Sequence, residues 1–286
     1  MIIVKLSGGL GNQMFQYALG KSVSIKTEQE LKFDISFYSE QKFRKLELVN
    51  FIGQINIAGK EEIGKTLFPK NIFLKTASCL FKQAWKLSKN YIKEKKSFNF
   101  QEDIFLKKES CFFDGYWQNP KYFDDIREVL TKEMSIKNDS LDDYSKEVLD
   151  NMEKTNAVSI HIRAGDYLNI PEVRDICSRD YYLKAISMIK EKVINPTFFV
   201  FCEDENYSSQ ILPTNLEYIF VNTNVEKPYM DLFLMTKCKH NIIANSSFSW
   251  WGGWLNKNSE KLVICPRIWH NKYKEADIIP VAWTKI

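Results

Sequence analysis

The chain has 286 residues, 44% hydrophobic and 27% charged, a balance that excludes disorder, collagen-like repeats and a disulfide scaffold. That length is more than one core usually serves, so two domains or one large α/β unit are expected. The net charge of +4 is concentrated: residues 71–97 hold seven lysines against Glu94 alone, which makes a local basic element and points away from a nucleic-acid partner.

Short β-branched or aromatic runs alternate with helical patterns along the chain. Strands are predicted at 1–6, 31–34, 111–115, 157–162, 197–202, 217–221, 240–244 and 262–265. Helices are predicted at 11–25, 120–132, 141–154, 179–193, 228–237 and 248–256. Such alternation predicts α/β architecture with parallel sheets covered by helices. The repeat pauses in the polar stretch 139–156, which puts the domain border at 152/153. In the basic segment, Phe73, Ala77, Leu80, Phe81, Ala84 and Tyr91 recur at helical spacing with lysines on the other face. That pattern reads as a helix packed on its own domain with a solvated lysine face; the sharper reading is a helix that lies peripherally on an anionic membrane surface. Six scattered cysteines without a CxxC pair, and three histidines, encode no zinc site. With no run of about 20 apolar residues and no basic leader before MIIVKL, a reducing cytoplasm is the expected location.

Three motifs follow strands. Gly8-Gly9-Leu10-Gly11-Asn12-Gln13 opens the first helix, where backbone N–H groups can meet an anion. A nicotinamide fingerprint would need a small residue where Met14 stands, and the amides of Asn12 and Gln13 suit a ligand's hydroxyls. His161-Ile162-Arg163-Ala164-Gly165-Asp166-Tyr167 ends a strongly apolar strand. His161 and Arg163 leave that strand on the same side, and a guanidinium fork beside an imidazole suits a phosphate. The bland reading is an Arg163–Asp166 ion pair that holds the loop. Asn245-Ser246-Ser247-Phe248 precedes a helix carrying Trp250, Trp251 and Trp254 around Gly252-Gly253. A serine there caps the helix, and its first-turn N–H groups can hold a pyrophosphate. Glu203-Asp204-Glu205 follows another strand, where paired carboxylates suit a metal ion; the alternatives are a hydrogen-bond acceptor and a helix cap.

GGLGNQMFQYALG (8–20), DGYWQNPKYF (114–123), HIRAGDY (161–167), CSRDYYLKAI (177–186), FFVFCED (198–204) and ANSSFSWWGGWL (244–255) together resemble the bacterial α-1,2-fucosyltransferases, glycosyltransferase family 11. The resemblance implies a GT-B fold, two Rossmann-like domains facing across a cleft. Residues 1–152 would form an acceptor-side domain that includes the basic segment 71–97. Residues 153–286 would form a GDP-fucose-binding domain, with the last residues free to pack back on the first. It implies inverting transfer of L-fucose from GDP-fucose to a hydroxyl of a galactoside acceptor, with no metal and no cofactor. The residues matching the family's donor contacts are Gly9, Gly11, Asn12, His161, Arg163, Glu203, Asp204, Asn245, Ser246, Ser247 and Phe248. Arg163 would be catalytic, with Asp114 or Asp166 as the base, and Tyr116, Trp117 and Trp250–Trp254 are candidate sugar-stacking rings. Ala164 departs from the family's usual HxRRxDY, which has a second arginine there. The alternatives are a metal-dependent glycosyltransferase that keeps its carboxylates at Glu203 and Asp204 and, from another class, a non-catalytic carbohydrate-binding protein with aromatic platforms.

Overall fold

The computed structural model describes residues 1–68, 85, 88–136, 141–165, 169–221, 227–273 and 276–286. The chain divides into two compact units, Met1–Met134 and Ser135–Ile286. All strand pairs in both sheets are parallel.

The first unit runs β1 (Ile2–Lys5), α1 (Leu10–Thr27), β2 (Leu31–Asp34), the short helices α2 (Ser36–Glu40), α3 (Val49–Ile52) and α4 (Lys60–Leu67), then β3 (Tyr91–Lys93), β4 (Cys111–Asp114) and α5 (Arg127–Glu133). Its sheet has the order β2-β1-β4-β3. Helix α1 sits close on that sheet because Gly20 has no side chain: a Cβ there would stand 2.9 Å from both Val4 and Leu31. Ile3, Ile63, Leu67 and Phe112 join the adjoining core.

Residues 120–132, expected as one helix, form two 3-10 turns, Pro120–Tyr122 and Asp124–Ile126, followed by α5. Phe123 and Ile126 leave helical geometry at the joints. The break lets both Tyr122 and Phe123 become fully buried. In the basic segment, residues 69–84, 86 and 87 lie outside the described residues. The expected helix does not reach Tyr91, which opens β3 and pairs with β4.

The second unit runs α6 (Asp143–Glu153), β5 (Asn156–His161), α7 (Arg179–Lys192), β6 (Pro196–Phe201), α8 (Glu205–Ile211), β7 (Tyr218–Val221), α9 (Pro228–Lys237), β8 (His240–Ile242), α10 (Ser247–Leu255), β9 (Val263–Cys265) and β10 (Thr284–Lys285). Its sheet has the order β10-β9-β8-β5-β6-β7. Central β5 (NAVSIH) and β6 (PTFFVF) are almost wholly buried, as near-continuous apolar runs between two helical layers should be. Val158, Ile160, Tyr182, Ile186, Phe198 and Val200 form the centre of the core.

Helix α6 belongs to this unit, so the border falls at 134/135 and not at 152/153. Asp142 caps α6 by accepting from the Ser145 N–H at 2.9 Å and stands 3.7 Å from Lys227. The helix's apolar face brings Met152 against Cys238, sulfur to sulfur at 3.9 Å. The last residues complete this unit's own sheet through β10. No helix among the described residues is long and apolar enough to cross a membrane. The described cysteines, Cys111, Cys177, Cys202, Cys238 and Cys265, are free thiols.

The glycine pair in α10 makes a close approach possible on two sides. A Cβ on Gly252 would stand 3.0 Å from Met235 of α9, and one on Gly253 would stand 2.9 Å from Val263 of β9. Replacing Gly253 with Val is expected to overpack this contact and cost about 1–3 kcal/mol, read as a lower urea midpoint for the second unit.

Candidate functional site

In the second unit, neighbouring strands β5 and β8 deliver two motifs to one edge. The His161 ring packs on Phe248 with centroids 5.6 Å apart, which joins the HIR segment to the start of α10. Ser246 is the N-cap of α10, its hydroxyl accepting from the Phe248 N–H at 3.3 Å, and Ser247 is the first helical residue. A helix start presents backbone N–H groups and the positive end of the helix dipole.

His161 is buried, and its Nδ1 has no hydrogen-bond partner among the described residues. Burial first, and the neighbouring Arg163 charge second, push its pKa down to about 3. It is therefore a neutral ring at physiological pH, beside the guanidinium of Arg163. The His161 carbonyl accepts from the Tyr182 hydroxyl at 2.9 Å, which ties the end of β5 to α7.

Arg163 donates from Nη1 to Glu203 Oε1 at 2.6 Å. The arginine side chain is mostly covered while that of Glu203 is half exposed. The expected loop-holding ion pair exists, but with Glu203 just past β6 as the described partner. Asp166 lies outside the described residues. Gly165 has φ +62°, a backbone conformation that favours glycine, and a Cβ there would fall 2.6 Å from Glu203 Oε2, which would have to swing aside. Ala164 is buried.

Asp204 caps α8, accepting from the N–H groups of Asn206 at 2.9 Å and Tyr207 at 3.2 Å. Among the described residues no group of three or more His, Cys, Asp or Glu side chains is placed to hold a metal ion. Asn245 also has a structural occupation. Its Nδ2 donates to the carbonyls of Val173 at 2.9 Å and Trp269 at 3.4 Å, and its Oδ1 faces the Cys177 thiol at 3.5 Å. It clamps two loops behind the start of α10. Trp250, Trp251 and Trp254 are core residues, Trp250 stacked on Trp254 and Trp251 edge-on to both, and Trp250 donates to the Ile278 carbonyl at 2.8 Å. They are not sugar platforms.

In the first unit, Gly8 takes φ +77°, and a Cβ there would clash at 2.6 Å with the Asn12 amide. Gly9 is the N-cap of α1, and Gly11 is buried in its first turn. Asn12 accepts through Oδ1 from Gln118 Nε2 at 2.7 Å, so the GLGN turn and the DGYWQ segment meet. Gln13, expected beside Asn12 as a ligand group, is fully buried and saturated. It donates to the carbonyls of Gly8 at 3.1 Å and Lys45 at 2.9 Å, and accepts from the N–H groups of Glu47 and Leu48, both at 2.9 Å. Its task is to staple the 45–48 loop. Gln16 likewise bridges Ser7 and Gly115.

Asp114 ends β4, accepts from the Tyr91 hydroxyl and stands 4.0 Å from Lys5. Burial, with Asp114 adding to it, raises the Tyr91 pKa. Trp117 is fully buried, whereas Tyr116 is exposed. Sequence reasoning missed Glu94, which follows β3 and accepts from the Tyr116 N–H at 2.9 Å. Its signal was slight: one acid in a lysine-rich stretch, behind a strand of only three residues.

Two units, each built on a parallel sheet covered by helices, make a fold of the GT-B type. The solved structure of the α-1,6-fucosyltransferase NodZ soaked with GDP-fucose shares this fold at a TM-score of 0.50, with 13% identity, over 89% of this chain and 92% of that one. The chain belongs to glycosyl transferase family 11, whose family model matches residues 1–286. It is 34% identical to an α-1,2-colitosyltransferase of Escherichia coli across 100% of this chain and 99% of that protein. It is 32% identical to the O-antigen biosynthesis glycosyltransferase WbnK of Escherichia coli across 98% and 99%.

The neutral burial of His161 has a measurable consequence. A histidine held neutral in the fold but protonated once unfolded favours unfolding as pH falls from about 6.5 towards 3. Replacing His161 with Asn should flatten the acid side of the stability profile by up to about 1.4 kcal/mol per pH unit. Urea midpoints for both proteins between pH 4 and 7 read this; parallel profiles would contradict it.

Proposed function

We propose that this chain transfers L-fucose from GDP-fucose to the 2-hydroxyl of a terminal galactose, with inversion and without a metal. The observation that carries the reading is the junction of β5 and α10: Arg163, the neutral His161 ring and the first turn of α10 gather at one sheet edge, with His161 on Phe248. Breaking a glycosyl–phosphate bond builds negative charge on the departing GDP. A fixed guanidinium and the N–H groups of a helix start are the donors that such charge requires. Glu203 and Asp204 support the metal-free reading because one holds Arg163 and the other caps α8. The burial of the tryptophans argues against a purely sugar-binding protein.

The acceptor we propose is a galactose-terminated glycan of the O-antigen type, on the strength of the names of the two bacterial relatives. A second donor reading comes from one of them. Colitose is L-fucose without its 3-hydroxyl, and 34% identity to a colitosyltransferase supports a site for GDP-linked sugars of this stereochemistry. Incubation with GDP-fucose or GDP-colitose and a panel of galactosides, with the linkage read by NMR, tests both. An α-1,2 product from GDP-fucose supports the main reading. Transfer of colitose alone shifts the assignment to the second, and the absence of any product removes both.

Two outcomes follow from the site. Arg163→Ala should lower kcat about a hundred- to a thousand-fold, the usual effect of losing one such donor, while the far-ultraviolet circular dichroism stays that of the wild type. Turnover should also survive an excess of EDTA; its loss, restored by a divalent cation, would overturn the metal-free reading.

A further inference from the structure

Because the first sheet is parallel throughout, its four strands finish along one edge. β1 leads into the Gly8–Asn12 turn. β2 leads towards Tyr38, whose hydroxyl donates to the Gly8 carbonyl at 3.1 Å. β4 leads into Asp114–Gln118, and β3 leads directly into Glu94. Ligands of open α/β sheets sit at such an edge.

Glu94 is built into this edge by its backbone and its side chain. Its N–H donates to the Asp114 carbonyl at 3.0 Å, and its Oε2 accepts from the Tyr116 N–H at 2.9 Å. Gly115 exists to admit it: a Cβ there would stand 2.4 Å from the Glu94 Cβ and 2.9 Å from Oε2. A second observation marks the same place as a binding position. The Trp117 indole N–H is fully buried with no hydrogen-bond partner among the described residues. It lies 3.1 Å from that same point on Gly115, on a residue held at φ +57°. A buried donor without a partner is costly and marks a position for an oxygen. The other carboxylate here, Asp114, is already engaged by Tyr91 and Lys5.

We propose that Glu94 is the catalytic base that takes the proton of the acceptor hydroxyl. The inference rests on the inverting transfer set out above. As the acceptor oxygen bonds to the sugar's anomeric carbon, its proton passes to the Glu94 carboxylate. The bond from that carbon to the phosphate oxygen breaks and its electron pair leaves with GDP; the carboxyl then returns the proton to water. Burial, with the Asp114 charge as a smaller aid, raises the Glu94 pKa above its ordinary 4.5, against the N–H groups of Tyr116 and Trp117. A base moved in that direction is better matched to neutral pH. The titratable and charged groups around Glu94 among the described residues are Asp114 on β4, Tyr116 and Tyr122 beyond it, and Lys93 and Lys95 on its own segment, with Asp103 paired to Lys95.

Glu94→Gln separates this role from a structural one, because glutamine keeps an oxygen for the Tyr116 N–H but is no base. Expected are a loss of kcat of roughly a hundred- to ten-thousand-fold, with the melting temperature and the calorimetric affinity for GDP unchanged. Turnover within about tenfold of wild type in folded E94Q overturns the proposal. So does a D114N variant that shows the loss while E94Q does not. Should E94Q melt far below wild type, the wild-type profile decides. Its kcat should fall with acid through one limb centred above 4.5; a profile with no acid limb, or with its limb below 4.5, counts against Glu94. A wild-type chain that transfers from no donor sinks the transfer reading itself, and this proposal with it.

Discussion

In a parallel sheet all strands point one way, so their carboxyl ends and the loops that leave them collect along a single edge. Both sheets here obey this without exception. The constraint explains why segments far apart in sequence share one neighbourhood. Asn12 and Gln118 meet because β1 and β4 are neighbours. His161 and Phe248 meet because β5 and β8 are. Glu203 reaches Arg163 because β5 and β6 pair along their whole length.

Much of that plan was legible in the chain. Runs such as AVSIHI and TFFVFC are too apolar and too β-branched or aromatic to be anything but buried strands, and the structure places β5 and β6 there within a residue. The polar segments that follow them stood out in the chain as well, and the structure gives several of their residues structural partners: Arg163 pairs with Glu203, Ser246 caps α10 and Asn245 clamps two loops. What a linear pattern does not carry is the partner each polar atom finds. Gln13 looks like a ligand group beside Asn12, yet its partners, at Lys45, Glu47 and Leu48, are set by how a later loop folds back. Asn245 likewise is consumed by Val173 and Trp269. The tryptophans of α10 look like stacking platforms until the two glycines are seen to pull that helix into the core.

Short elements were the other loss. β3 has three residues and β10 two, below the length at which alternation can be recognised. Both are held by a neighbouring strand more than by their own preference. With β3 unseen, Glu94 counted only as a charge opposing lysines. The domain border was misplaced for a related reason. Helix α6 is polar enough on its outer face to read as a linker, and only its packing through Met152 on Cys238 assigns it to the second unit.

The Arg163–Glu203 pair reaches beyond its own geometry. An arginine already matched to a carboxylate carries little unspent attraction, so whatever anion takes hold of it performs a swap of counter-ions and not a simple capture. Glu203 is exposed enough to turn outward into water when displaced, at small solvation cost, and to swing back when the incomer departs. Such a spare anion on the doorstep would loosen any anion that Arg163 came to hold, a departing one as surely as an arriving one.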